Sequence, residues 1–180
     1  MSAFAVEELR AVLLDLKQPL AKRTHTAFYL RTDGSPAAVA AICDALLVRE
    51  DSSLMRHELA YILGQIQNAD ACPILSTVLC NEEDDILVRH ESAEALGAIG
   101  DPTSIEILSK YVDHSAPEIR ETCQIAIDLI RFRQAGGKIV SSSRFQSVDP
   151  APPIVEVKKS LNELEAELLD TSKSLFLRYR

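Results

Sequence analysis

The chain has 180 residues, 47% of them hydrophobic and 5% aromatic with no Trp, and a formal net charge of −8. That length and apolar content suit one domain with a real core, and the aromatic-poor composition fits a helical solenoid better than a sheet protein. The acidic balance argues against a nucleic-acid backbone as partner and suits a basic one. No apolar run is long enough to span a bilayer and no secretory leader pattern opens the chain, so it reads as soluble and cytoplasmic, with no membrane partner.

In chain order, the strongest pattern is a repeat. Arg23, Arg56 and Arg89 stand 33 residues apart, with Ala27, Ala60 and Ala93 four residues later and Leu30, Leu63 and Leu96 seven later. A fourth, shorter copy begins at Arg120 and carries Ile125-Ala-Ile. The apolar positions recur at helical spacing, so each copy contributes a core-facing helix. Asp51-Ser-Ser, Asp84-Asp85 and Ser115-Ala-Pro117 offer N-caps for these helices. Preceding helices are expected over Pro36 to about Val48, Asp70 to Leu79 and Pro102 to Tyr111. Gly64, and Gly97 with Gly100, fall toward the ends of the second helices, where a tight turn calls for a permissive backbone. Two antiparallel helices per unit of about 33 residues describe an all-α solenoid of HEAT-like helical hairpins.

Residues 1–135 are therefore read as the repeat array. From 136 to 160 the periodicity fails, and Gly136-Gly137, Ser141-Ser-Ser143 and Asp149-Pro-Ala-Pro-Pro153 mark a flexible or extended linker. Residues 161–180 hold a short helix, Leu161 to Leu169, and more. Leu168-Leu-Asp170, Leu175 and Arg178 repeat Leu13-Leu-Asp15, Leu20 and Arg23 at a constant offset of 155. The segment reads as the start of a second array, and the chain as one half of a duplicated architecture. The four cysteines (Cys43, Cys72, Cys80, Cys123) show no CxxC spacing and sit in apolar helical segments, so they are expected to be buried reduced thiols.

One shared feature is not needed for packing. His57-Glu58 and His90-Glu91 recur in register within Arg56-His-Glu-Leu-Ala-Tyr-Ile-Leu-Gly64 and Arg89-His-Glu-Ser-Ala-Glu-Ala-Leu-Gly97. A single His-Glu dipeptide is usually a solvated pair on the surface. Two in register on neighbouring helices, whose axes lie about 8–10 Å apart, place imidazoles where they converge on one ion, metal–nitrogen bonds being about 2 Å. Each Glu points about 100° away around its helix, and two His with one carboxylate is a set used by non-haem Fe(II) oxygenases. The first repeat has Thr24-His25 at these positions and the fourth has Glu121-Thr122, so only the central repeats carry the pair. His114 is expected in a loop or cap. The Arg23/56/89/120 series is expected to form a structural ladder with cap-region acids and carbonyls. Glu82-Glu-Asp-Asp85 is expected to be a solvated run favouring the following helix N-terminus.

Ser53-Leu-Met-Arg-His-Glu-Leu-Ala-Tyr-Ile-Leu-Gly-Gln65 and Val88-Arg-His-Glu-Ser-Ala-Glu-Ala-Leu-Gly-Ala-Ile-Gly100 closely resemble deoxyhypusine hydroxylase, as does the run from Leu168 to Arg180. That family is a HEAT-repeat dyad whose facing halves each contribute two His-Glu pairs to a di-iron centre. With dioxygen it hydroxylates the deoxyhypusine side chain of the initiation factor five-A precursor, completing hypusine. The resemblance implies Fe(II) as cofactor, with His57, His90 and Glu91 as direct ligands. Glu58 would be a further catalytic-site carboxylate, as ligand, hydrogen-bond partner or contact to the substrate amine. The second set of motifs is absent from this sequence, so one chain holds at most half the site, and activity is expected only where two copies associate or a second half is supplied.

Two other functions compete with an iron monooxygenase. A non-catalytic HEAT scaffold would bind a protein partner without iron and be indifferent to His57→Ala and His90→Ala. A bilin-lyase relative shares only generic repeat residues such as Leu96-Gly-Ala-Ile-Gly-Asp-Pro102.

Overall fold

A computed structural model of the chain describes residues 3–137, 147–153 and 159–180. Within them the chain is helical: α1 (Ala3–Leu14), α2 (Leu20–Asp33), α3 (Pro36–Leu46), α4 (Ser53–Ile66), α5 (Cys72–Cys80), α6 (Ile86–Ile99), α7 (Ser104–Ser109), α8 (Pro117–Gln134), α9 (Leu161–Leu169) and α10 (Leu175–Tyr179), with a short 3-10 turn at Ala69–Ala71. No strand occurs among the described residues, as an all-α solenoid requires. The helices stack as hairpins in two rows. α2, α4, α6 and α8 pack successively on one another, while α1 lies on α3 and α5 on α7. Leu30, Ile42, Leu46, Leu59, Leu63, Leu75, Leu79, Leu96 and Leu108 are buried between the rows. No described helix is long and apolar enough to cross a membrane.

Local chemistry sets the helix limits. Ser52 and Asp85 cap α4 and α6 by accepting from Met55 N–H and Leu87 N–H. The expected cap for α8 does not form at Ser115; the N-cap is Ala116, whose N–H is taken by Nδ1 of His114 at 3.1 Å, with Pro117 in the first turn. The first-row helices are shorter than their apolar spacing suggested. Around α7 the flanking turns close through i→i+3 bonds, Ser104 to Asp101 and Tyr111 to Leu108, and Asp101 draws Thr103 N–H into a local turn. The segment from Asp70 divides into the 3-10 turn and α5, where Pro73 sits at the helix start. Cys43, Cys72 and Cys123 are buried free thiols, whereas Cys80, at the end of α5, is exposed.

Gly64 and Gly97 work differently from the turn role read from their position. Both lie inside helices, and the turn is made by left-handed Gln67 (φ 59°) and Gly100 (φ 80°). A Cβ on Gly64 would meet Ala95 Cα at 2.9 Å, and one on Gly97 would meet Ala126 Cα at 2.8 Å. Bare backbone at these two points lets α4, α6 and α8 approach closely, which sets the spacing of the His-Glu turns. Gly97→Ala should therefore overpack the α6/α8 contact and lower stability by about 1–3 kcal/mol, read from the urea midpoint; an unchanged midpoint would show that the helices separate freely.

The arginine ladder forms. Arg23, Arg56 and Arg89 donate Nε–H to the carbonyl ten residues back, Leu13, Leu46 and Leu79, at 2.9, 2.8 and 3.0 Å. Arg23 also pairs with Asp51, and Arg56 with Asp84. Arg89 has Pro117 at the matching position, and its guanidinium instead lies 5.8 Å from the Tyr111 ring centroid. Arg120 turns to the carbonyls of His114 and Ser115. The bond recurs at the end of the chain, where Arg178 Nε–H reaches Leu168 O at 2.9 Å. The α9–α10 corner thus reproduces the α1–α2 corner at the offset of 155.

Most of the segment expected to link these parts lies outside the described residues, at 138–146 and 154–158. Residues 147–153 lie against the array. Gln65 clamps Val148 by two hydrogen bonds of 2.8 and 3.1 Å, and Ala151 packs with Leu129 and Phe176. Arg180 stacks 4.4 Å over the Phe132 ring centroid and donates to Pro152 O.

Candidate metal centre

α4 and α6 share their N-terminal register, so His57 and His90 are each the fifth residue of their helix. The close α4/α6 packing brings the second turn of one against that of the other. His57 Nε2 lies 3.0 Å from Glu91 Oε2, and His90 Nε2 lies 3.8 Å from the same oxygen. His57, His90 and Glu91 each present one ligand atom within 4.8 Å of the others, and among the described residues they are the group arranged to hold an ion. Glu58 stands outside this trio. It is 34% exposed, with Oε1 3.7 Å from Nδ1 of His57, too long for a hydrogen bond.

The electrostatics are those of a carboxylate and imidazoles drawn together in a largely buried place. Burial pushes the Glu91 carboxyl up to about 8, helped by the like charges of Glu94 and Glu58. Burial also lowers the His57 imidazole, with Glu58 opposing and His90 reinforcing, which favours a neutral ring with a free lone pair. Glu94 is likewise raised, by burial first, with His90 opposing. Among the described residues, Nδ1 of His57 is buried with no hydrogen-bond partner, and the carboxylate of Glu91, 5% exposed, lies against the imidazoles of His57 and His90. Such a set suits a divalent transition metal, since imidazole nitrogen and carboxylate oxygen are the ligands these ions take.

The sequence reading passed over two neighbours. Glu94 lies one turn beyond His90 on α6, and Thr122, on α8, meets Nδ1 of His90 at 2.8 Å. Both line a cavity of about 380 Å3 beside His90, with Glu118, Glu121 and Leu129. The i+4 spacing from His90 could have found Glu94. Thr122 is visible in the sequence only as the fourth-repeat residue in the Glu register, without the dipeptide to mark it.

Helical hairpins stacked in two rows, with the His-Glu pairs on one row, define a class. HEAT repeats match over residues 39–128, and the chain belongs to the HEAT-repeat family. Within that class it is similar to deoxyhypusine hydroxylases, as its motifs suggested. It is 45% identical over 175 residues to those of Drosophila melanogaster and Homo sapiens, which covers 97% of this chain and 57% of each relative. With that of Gallus gallus the identity is 43% over 177 residues, or 97% and 58% of the two chains. The solved structure of human deoxyhypusine hydroxylase in complex with glycerol superposes with a TM-score of 0.88 at 44% identity, covering 99% of this chain and 60% of that one. The chain thus spans somewhat over half the length of these relatives.

Proposed function

We propose that this chain supplies one half of a di-iron site that hydroxylates the deoxyhypusine side chain of the initiation factor five-A precursor. The observation that carries the reading is the convergence of His57, His90 and Glu91 on one point from two helices in register. Iron held there would supply the reduction of dioxygen and the transfer of one oxygen atom to a substrate carbon. The reading makes the chain a cytoplasmic oxidoreductase component whose partners are a protein substrate and dioxygen.

The chain's own residues support the substrate class. Glu94, Glu118 and Glu121 stand around the cavity beside His90, and Ile125, Ala126 and Leu129 form its apolar wall. An aliphatic side chain carrying amine nitrogens fits both, with methylenes on the wall and ammonium groups against carboxylates. Glu58, half-exposed beside His57, is the further carboxylate, either steadying that imidazole or meeting the substrate amine.

A second set of ligands is required for two irons. It comes from a second copy of the chain or from another array following the α9–α10 corner. Leu161 and Leu168 are exposed on α9, whereas Val6 and Leu13, their counterparts on α1, are buried; a covering element for α9 accords with this.

Anaerobic Fe(II) titration with the mass in solution recorded in parallel tests the reading. About one iron per chain is expected, abolished in His57→Ala and in His90→Ala, and hydroxylation is expected only from a dimer or with a second half supplied. Uptake that ignores both substitutions would sink the site; a purified monomer turning over the substrate would sink the half-site arrangement.

A further inference from the structure

We infer that Thr122 is a positioning residue for His90. Its hydroxyl accepts the Nδ1–H of that imidazole and so holds the tautomer whose Nε2 lone pair faces Glu91 and His57. This rests on the metal reading above.

Arg56, Arg89 and Arg120 open equivalent turns of α4, α6 and α8, which makes Thr122 the counterpart of Glu91. Each motif imidazole reaches that position on the next helix of the row. His57 meets Glu91 through Nε2 at 3.0 Å, and His90 meets Thr122 through Nδ1 at 2.8 Å. The ring of His90 is therefore held by one nitrogen while the other faces the cluster, 3.8 Å from Glu91. A neutral imidazole has one donor and one acceptor nitrogen. For Nε2 to ligate, the proton must sit on Nδ1, where it needs an acceptor, and a hydroxyl oxygen is one.

The orientation of Thr122 is not the default for a helical hydroxyl. Thr24, Thr26, Thr32, Thr77, Ser92 and Ser109 all donate to the carbonyl four residues back on their own helix. The recorded bond of Thr122 instead crosses from α8 to α6. Metal-bound imidazoles generally donate their second N–H to such an outer partner, and losing it weakens metal binding about 10–100-fold. Among the described residues His57 has no equivalent, since its Nδ1 lacks a hydrogen-bond partner there. The fourth repeat, which carries no His-Glu pair, thus joins the site through α8.

The test compares the chain with Thr122→Val, which keeps the shape and removes the hydroxyl, and Thr122→Ser, which keeps the hydroxyl. In histidine-labelled, metal-free protein at alkaline pH, two-bond proton–nitrogen NMR reads the His90 tautomer, assigned by its loss in His90→Ala. The expected result is Nδ1–H in the parent and in Thr122→Ser, moving toward Nε2–H in Thr122→Val. Anaerobic Fe(II) titration should show about 10–100-fold weaker binding in Thr122→Val, restored in Thr122→Ser. An Nε2–H ring in the parent overturns the inference, as does an unchanged tautomer and affinity in Thr122→Val. If the parent and His90→Ala alike take up no iron, the metal reading fails, and the tautomer spectra still decide the role of Thr122.

Discussion

Asp84→Ala is expected to lower the unfolding free energy by about 3–5 kcal/mol, because it strands a buried guanidinium. Arg56 donates Nε–H to Leu46 O at 2.8 Å and its two terminal nitrogens to Asp84 at 2.5 and 2.7 Å. Both side chains are about 4% exposed. Arginine cannot escape by losing its proton, so the folded state must carry the charge without its counter-ion. The loss should appear in the urea midpoint at neutral pH, whereas Asp85→Ala, which removes an N-cap, should cost only about 1 kcal/mol. Equal losses in the two variants would mean that water reaches Arg56 once Asp84 is gone. The pair also has an acid limit. Arg56 holds the Asp84 carboxyl below the usual carboxylate range. Its contribution is therefore fully present above the unfolded value of about 3.9 and disappears as pH falls through the lower folded value. In Asp84→Ala this part of the acid-induced loss should be absent.

Glu91→Gln should act in opposite directions on metal and fold. Without its carboxylate the cluster keeps two imidazoles, and Fe(II) uptake should fall at least as far as after loss of an outer-shell partner, about 100-fold. The metal-free chain should meanwhile become more stable by about 1–3 kcal/mol. Glu91 is fully hydrated in the unfolded chain, whereas the fold buries it against the imidazoles of His57 and His90. A neutral amide of the same shape escapes most of that penalty. Thermal denaturation with and without Fe(II) separates the effects: the parent should gain stability on adding metal by mass action, and Glu91→Gln should not. Destabilisation of the metal-free variant would indicate that Glu91 serves the fold and not an ion.

How much of this was legible in the sequence follows from what is periodic. The 33-residue spacing of Arg, Ala and Leu made the stacked hairpins readable, because every repeat buries the same face against the same neighbour. The recurrence of His-Glu in that register singled out His57, Glu58, His90 and Glu91 for the same reason. Arg178 was legible too, since its bond to Leu168 repeats that of Arg23 to Leu13. Positions whose role is set by the next helix were not legible in this way. Gly64 and Gly97 resemble turn glycines in one dimension, and only the approach of Ala95 and Ala126 from the next helix reveals close-contact positions.

The residue order by itself determined the solenoid, its helix register and the residue types of the candidate site, because helical periodicity and repeat stacking leave few alternatives. The tertiary structure alone decided which atoms meet. It placed Glu91, rather than Glu58, against Nε2 of His57, because Glu91 lies across from His57 on α6, whereas Glu58 adjoins it on α4, about 100° further round the same helix. It turned Thr122 toward His90 and set Glu94 in the wall of the same cavity, since contacts across a helix row depend on interaxial distance and rotation, which sequence spacing does not encode.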